Sequence, residues 1–500
     1  MRKLFLLLVL FAPLMLASCG DDDNNGTPAD TTDPEVTLLA PQNGESVIAE
    51  DVLIQAQATD NRGIATVEFY VDGTKIGEDA TGTAHVYEYT WDASGLNAGS
   101  GHTIRVRAID TSDNDDEATI AVAIVNSGMT IHNQDIVADE TWDPSGNPHV
   151  VTLPIHIGGG ATLTISPGCH VEFQPDVNAG LNVGWEPEEG ALVAVGNPLQ
   201  PISFSSRAAV PQRGDWHGLY FFGGTLPTTH LSYCTIEYTG YNESAAAYVA
   251  WGAVVALDHC TIRQGAGPGV SYEHGGHVDH FDFNTITTCA GNALETEPEF
   301  VRYLGAGTSF TGNDAGKDRI LLQDGVMVTS GTWHNQGVPY EIAPVNAGGG
   351  ILVAATEGTP AVLTIDAGTT IRFSSGAQLA VGSGGSTGGL IAVGTELLPI
   401  TFTSAALNPT PGDWHQIALE DGAQDGQCQL EHCVIEYGGG ANYGNLSIVD
   451  ARPTVAGCSI GHGASYGIFL GGNEYPDAGA LEANNAFYDN AGANVFVAEP

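Results

Sequence analysis

Gly190-Ala-Leu-Val-Ala-Val-Gly196, Pro201-Ile-Ser-Phe204 and Gly214-Asp-Trp-His217 recur in the same order as Gly389-Leu-Ile-Ala-Val-Gly394, Pro399-Ile-Thr-Phe402 and Gly412-Asp-Trp-His415. Each set is followed by a Cys-x-Ile-Glu-Tyr segment, Cys234 to Tyr238 and Cys433 to Tyr437. The chain therefore contains a duplicated unit of roughly 200 residues. A finer spacing runs inside it. Cys234, Cys260 and Asn284 each precede Thr-Ile, and Cys433 and Cys458 precede Val-Ile and Ser-Ile. A period of about 20 to 26 residues, with short strands, Gly and Asn at the turns and no helical pattern, marks a solenoid whose coils stack on one another.

The phrases Ala161-Thr-Leu-Thr-Ile-Ser-Pro-Gly168 with Val171-Glu-Phe173, and Val362-Leu-Thr-Ile-Asp-Ala-Gly368 with Ile371-Arg-Phe373, complete the repeat. Together these motifs resemble the right-handed parallel β-helix family, over essentially all of residues 129–500. The resemblance implies the fold and says little about activity. It implies about 15 coils, on the order of 70 Å at the 4.8 Å strand spacing. Stacking would set Cys234 over Cys260 and Cys433 over Cys458 as an interior ladder, where a small apolar thiol is well suited. Free thiols are expected, although neighbours at that spacing could also form a disulfide. Seven cysteines follow Cys19, and an odd number argues against a full disulfide framework.

Ahead of the solenoid, Val52–Ala58, Thr66–Val71, Val86–Trp91 and Thr103–Ile109 alternate apolar and polar residues, as strands with one buried face do. A module of about 90 residues with such strands reads as a β-sandwich. Ala40-Pro41-Gln-Asn-Gly44, Val67-Glu-Phe-Tyr-Val-Asp-Gly73 and Arg107-Ala-Ile-Asp110 are similar to the bacterial Ig-like domain, which implies a spacer or a weak carbohydrate-binding module. The fold class expected is thus all-β, an Ig-like sandwich followed by a parallel β-helix of two duplicated halves.

The N-terminus carries an address. Arg2-Lys3 precedes an apolar run, Leu4 to Leu16, too short to span a bilayer, which reads as a secretory signal peptide. Leu16-Ala17-Ser18-Cys19 resembles the lipobox of bacterial lipoproteins, which implies that Cys19 is acylated and anchors the chain to a membrane, stably so with two or more acyl chains. The acidic run Gly20 to Asn25 looks like the export signal of surface lipoproteins and implies display on the outer membrane. The expected organisation is signal peptide 1–18, anchor and flexible acidic tether 19–33, Ig-like domain 34–127, and β-helix halves 128–315 and 316–500.

Fifty-nine acids stand against 14 Lys plus Arg, a formal charge of −45. Nucleic acid and anionic membrane surfaces are bound chiefly through Lys and Arg, so both are excluded as partners of the folded surface. Two readings of the acidity remain: a solvated face suited to a salty habitat, or a surface that collects Ca²⁺. No cofactor is otherwise implied. Asp110, Asp113 and Asp115 form an oxygen-rich run that is the calcium candidate, without the spacing of an EF-hand.

Asp215-Trp216-His217 and its copy Asp413-Trp414-His415 are the most conspicuous chemical motif. Their duplication marks them as structural: an active site is needed once, a packing solution in every repeat. The stretch the repeat does not explain holds His274, His277, Asp279, His280 and Asp282, a transition-metal candidate. Residues three apart on a strand face opposite sides, so His277 and His280 need a turn between them to share an ion. No Ser-His-Asp arrangement, phosphate loop or paired-carboxylate motif is readable. The expectation is a non-catalytic surface lipoprotein that binds or displays, towards glycan, extracellular matrix or another cell-surface component. A β-helix polysaccharide lyase or glycoside hydrolase is the alternative.

Overall fold

The computed structural model describes residues 30–96, 100–125, 129–343 and 349–499. The expected signal peptide, Cys19 and the tether up to residue 29 lie outside them. The described chain is all-β and divides into two compact units.

The first holds most of an Ig-like sandwich of eight strands, of which β2 and the end of β8 are counted with the second unit: β1 (Glu35–Ala40), β2 (Ser46–Ile48), β3 (Asp51–Thr59), β4 (Ile64–Val71), β5 (Thr74–Asp79), β6 (Val86–Asp92), β7 (Gly101–Asp110) and β8 (Asp115–Val125). One sheet orders β1-β3-β6 and the other β2-β8-β7-β4-β5. The period-2 pattern sets the core: Ile54, Ala56 and Ala58 from β3 meet Val67 and Phe69 from β4 and Ile104, Val106 and Ala108 from β7, all fully buried. No cysteine is needed, because aliphatic and aromatic burial closes the sandwich.

The second unit is a right-handed parallel β-helix, the hand that parallel crossovers almost always take. In its first half each coil contributes strands to three sheets. One sheet stacks His149–Val151, His170–Phe173, Ile202–Ser206, Cys234–Glu237, Thr261–Arg263 and Thr285–Thr287. A second stacks Gly180–Val183, Leu219–Phe221, Ala247–Ala250, Val270–Glu273 and Leu294–Thr296, and a third runs from Glu140–Trp142 to His277–Asp282. Inward residues form columns, and a single apolar core runs through both halves. The longest sheet has thirteen strands, and the coil of Thr130–His132 and Glu140–Trp142 precedes it, joined by the isolated bridge Ile136–Ile157.

That sheet reveals how the copies join. Leu294–Thr296 pairs with Ile320–Leu322, which pairs with Tyr340–Ile342, which pairs with Thr370–Phe373. Thr370–Phe373 is the copy of His170–Phe173, whose own sheet is a different one. The second half is therefore stacked one face round from the first. A 3₁₀ helix, Pro298–Tyr303, and a coil with isolated bridges at Leu304 and Ser309 make the step.

The cysteine column appears in both halves. Cys169, Ile202, Cys234, Cys260 and Asn284 follow one another up the first; Thr369, Ile400, Cys433, Cys458 and Asn485 up the second. All seven described cysteines are buried and free. Each column ends on an asparagine whose Oδ1 accepts the N–H of the last cysteine at 2.9 Å. Its Nδ2 donates to Leu257 O or Val455 O, so a polar side chain closes an apolar column with its hydrogen bonds met.

Candidate functional site

The duplicated motif lies inside. Trp216 and Trp414 are fully buried, their indoles face Phe173 and Phe373, and each Nε1 donates to a carbonyl, Glu237 O at 2.7 Å and Glu436 O at 2.9 Å. Asp215 Oδ2 accepts from Ser206 Oγ and the Gln212 N–H; Asp413 Oδ2 accepts from Ser404 Oγ and the Thr410 N–H. Both carboxylates therefore brace a loop. His217 Nδ1 pairs with Asn178 Oδ1, and burial holds its imidazole below the ordinary range; His415 sits 6.5 Å from the Tyr443 ring.

The histidine-rich stretch does not converge on one point. His277–Asp282 carries a bulge: Val255 faces Val278 while Ala256 faces His280, leaving Asp279 unpaired. The bulge turns His280 outward along with His277, removing the alternation barrier. The imidazoles still part, because His277 is sandwiched between Phe300 (4.5 Å) and Tyr303 (4.8 Å). Asp282 Oδ1 accepts the Ala306 N–H, and His274 lies beside Trp251. Among the described residues, the only set of three or more ligand-type groups close enough for one ion is Asp30, Asp60 and Asp110. The His and Asp side chains expected to share a metal are thus not gathered about one point among the described residues, and His277 is taken up by packing on the 3₁₀ helix.

The residues of the expected calcium run, Asp110, Asp113 and Asp115, go separate ways in the structure. Arg107 takes Asp115 in a two-pronged pair at 2.9 Å on both oxygens, and Asp113 sits in the left-handed region at a tight turn (φ 70°). Only Asp110 belongs to the carboxylate cluster, with partners 50 and 80 residues away that local spacing could not reveal.

What the first half of the helix does present is an aromatic strip. On the sheet of Gly180–Val183, outward Tyr220 pairs in register with Tyr248, ring centroids 5.0 Å apart, and His217 lies 4.1 Å from Tyr220. Beside them the turns carry Trp185, Phe222 and Trp251. Phe222 is 5% exposed and forms the floor, while Trp185 and Trp251 are 54% and 50% exposed and stand as walls, 4.6 and 5.4 Å from it. With Glu186 and Gly223 they enclose a cleft of about 230 Å³. Gly184 makes the Trp185 turn possible: at φ 66°, a Cβ there would lie 2.1 Å from the Thr225 nitrogen.

Carboxylates border the strip. Tyr248 Oη donates to Glu273 Oε2 at 2.9 Å. One coil further on, Glu295 pairs in register with Ser271; burial raises its carboxyl above the ordinary range, against the 2.6 Å hydrogen bond from Asn292 Nδ2 and with a contribution from the charge of Glu273. Burial also pushes the Tyr220 phenol up to about 12.

The strip belongs to one copy only. Position by position, Trp185, Tyr220, Phe222, Tyr248, Trp251 and His274 are replaced in the second half by Ser383, Ala418, Glu420, Ser447, Asp450 and Gly472. There the equivalent groove, about 390 Å³, brings Glu420, Asp421 and Asp450 together with Tyr443 and Phe469, and has no exposed indole. Sequence reading of motifs missed the strip; subtracting one copy from the other finds it.

Residues 34–106 match a family model described as Bacterial Ig domain. The fibronectin(III)-like modules of CbhA from Clostridium thermocellum are 32% identical over 18% of this chain, with a TM-score of 0.16, and the match spans 46% of the length of that chain. The catalytic domain of a GH87 alpha-1,3-glucanase in complex with tetrasaccharides is 11% identical over 93% of this chain and 98% of its own, with a TM-score of 0.23. Pectate lyase Pel3 from Pectobacterium carotovorum is 11% identical over 79% and 89%, with a TM-score of 0.13. At those scores the fold rests on the strand pairing, not on the likeness. No curated protein matches the chain.

Proposed function

We propose that the chain is an exported, surface-displayed lipoprotein, anchored through Cys19, whose β-helix binds a neutral glycan in the Trp185–Phe222–Trp251 cleft without cleaving it. The carrying observation is the cleft itself: two half-exposed indoles over a buried phenyl floor. Exposing that much indole costs hydrophobic free energy unless a partner covers it. A pyranose has an apolar C–H face that suits an aromatic wall and a hydroxyl rim that suits Glu186 and its neighbours. The charge of −45 opposes an anionic polysaccharide and favours an uncharged one. Adhesion to another cell or to matrix glycan follows from such a surface.

The test is calorimetric titration of the purified chain with neutral and acidic oligosaccharides. Binding by a neutral glycan that Trp185→Ala and Trp251→Ala each weaken tenfold or more supports the reading; unchanged affinity in both variants sinks it.

One observation favours a second reading, a glycoside hydrolase. Glu295, protonated above the usual carboxylate range, lies electrostatically coupled to Glu273 at the end of the strip, and an acid paired with a carboxylate is the equipment of glycoside cleavage. New reducing ends from a bound glycan, abolished by Glu295→Gln, would establish it over the non-catalytic reading.

A further inference from the structure

We propose that the groove of the second copy binds a ligand bearing a primary ammonium group on a compact polar carrier, an amino sugar or a short aliphatic polyamine. The site is separate from the glycan cleft and does not rest on it. It occupies the place in the coil that the cleft has in the first copy, and its chemistry is the reverse. Phe222 and Trp251 give way to Glu420 and Asp450, and the outward Tyr220 and Tyr248 give way to Ala418 and Ser447, both 3% exposed, which lower the floor. Tyr443, 41% exposed, and Phe469 line the groove, and no Lys or Arg does.

The acids come from two successive coils, Glu420 and Asp421 after Ile417–Leu419 and Asp450 after Gly444–Val449. Asp450 Oδ1 accepts the N–H groups of Asn473, at 2.6 Å, and Glu474, at 3.2 Å, which orient the carboxylate. Gly472 leaves room for it: a Cβ there would lie 2.3 Å from Asp450 Cγ. Three carboxylates and their turn contacts make an acidic surface and not yet a site.

The independent observation is Gln416. It stands where the first copy has Gly218, lines the groove and is only 7% exposed. Its Nε2 donates to Gln378 Oε1 at 3.4 Å, and Gln378 likewise replaces a glycine, Gly180. Its Oε1 is buried and meets no donor. A carbonyl oxygen held out of water without a donor is costly, so the groove calls for a ligand that brings an N–H or O–H. The carboxylates call for positive charge, which the faces of Tyr443 and Phe469 also favour. A metal ion does not answer these demands. Among the described residues, Glu420, Asp421 and Asp450 are not a set with oxygens within 4.8 Å of one another, and an ion bonded at about 2.3–2.6 Å cannot reach all three. A quaternary ammonium carries no N–H for Gln416. A primary ammonium supplies charge and three donors in one group, and a groove of about 390 Å³ has space for its carrier.

The test is calorimetric titration of the full chain in about 150 mM NaCl, which screens diffuse binding to the acidic surface. The probes are the β-1,4 dimer of glucosamine, spermidine and tetramethylammonium. One saturable site is expected for the glucosamine dimer or for spermidine, and the tighter of the two names the carrier. Tetramethylammonium should bind that site about tenfold more weakly or less, since it forfeits a charge-assisted hydrogen bond. Glu420→Gln and, separately, Gln416→Ala should each weaken the amine about tenfold or more on the same ground. A glucosamine dimer held in the first-copy cleft instead would be indifferent to both substitutions, so the two sites fail separately. Should Gln416→Ala fold poorly, the wild-type comparison of amine with tetramethylammonium decides. No saturable site for either amine, equal affinity for tetramethylammonium, or a site that either variant leaves intact overturns the proposal.

Discussion

The indole of Trp216 lies 3.8 Å from the ring of Phe173 and 1° from parallel, and Trp414 repeats the contact on Phe373 at 4.1 Å and 8°. Isolated aromatic pairs prefer offset or edge-on arrangements, so a face-on stack made twice is imposed by the coil, which puts Phe on an inward column and brings Trp across it. Trp216→Ala is expected to cost about 3–5 kcal/mol of unfolding free energy, the range for a large buried aromatic. Trp414→Ala should cost the same while leaving glycan affinity within twofold, because the aromatic strip lies on the other copy. Guanidinium unfolding midpoints and glycan titration of the two variants check this.

Burial sets the chemistry of the cysteine columns. It pushes the Cys169 thiol up to about 12, Cys428 up to about 11 and Cys234 well above its usual value. Thiolates are the reacting species, and all seven cysteines from Cys169 to Cys458 are buried out of a reagent's reach, so they should resist a thiol reagent at pH 8 in the native state and all react once the chain is unfolded. Fast native labelling of Cys234 or Cys260 would mean that the columns open.

The columns also show what was legible. Cys234 and Cys260, one period apart, disclose both the coil length and the stacking, because identical residues recur where identical space recurs. Trp216 and Trp414 disclose packing for the same reason. The one-face step between the copies left no such trace: it depends on how Leu294–Thr296 meets Ile320–Leu322, a pairing of two unrelated segments. The clefts and clusters were harder still. Asp30, Asp60 and Asp110 are assembled by β-sheet topology, and Trp185, Phe222 and Trp251 by stacking of three coils, so neither set has a local spacing. His274 to Asp282 had the local spacing and lost its meaning to a bulge and two aromatic rings.

A pH dependence follows from His132. Its ring stacks on Trp142 at 3.9 Å, and its Nε2 meets His149 Nδ1 at 3.0 Å. Burial, with His149 adding to it, holds its pKa at about 4, against 6.5 ordinarily. Below pH 6.5 the unfolded chain takes up a proton that the folded chain refuses until about pH 4, so stability falls as pH drops through that window. Urea midpoints at pH 7 and pH 4.5 should therefore differ more for the wild type than for His132→Gln. Equal differences would remove His132 as the cause.

The tryptophans offer a fluorescence reading of the cleft. Of the seven, Trp91, Trp142, Trp216, Trp333 and Trp414 are all 7% exposed or less, whereas Trp185 and Trp251 are about half exposed. Acrylamide quenches indoles it can reach, so the quenchable fluorescence should come from Trp185 and Trp251 alone and largely vanish in the Trp185→Phe/Trp251→Phe double variant. A glycan lying between those two walls must shield both. Saturating glycan should thus suppress quenching in the wild type as far as the double substitution does, since the same two rings account for both effects. A glycan that binds while the quenching stays unchanged would place its site away from the cleft, on another face of the helix.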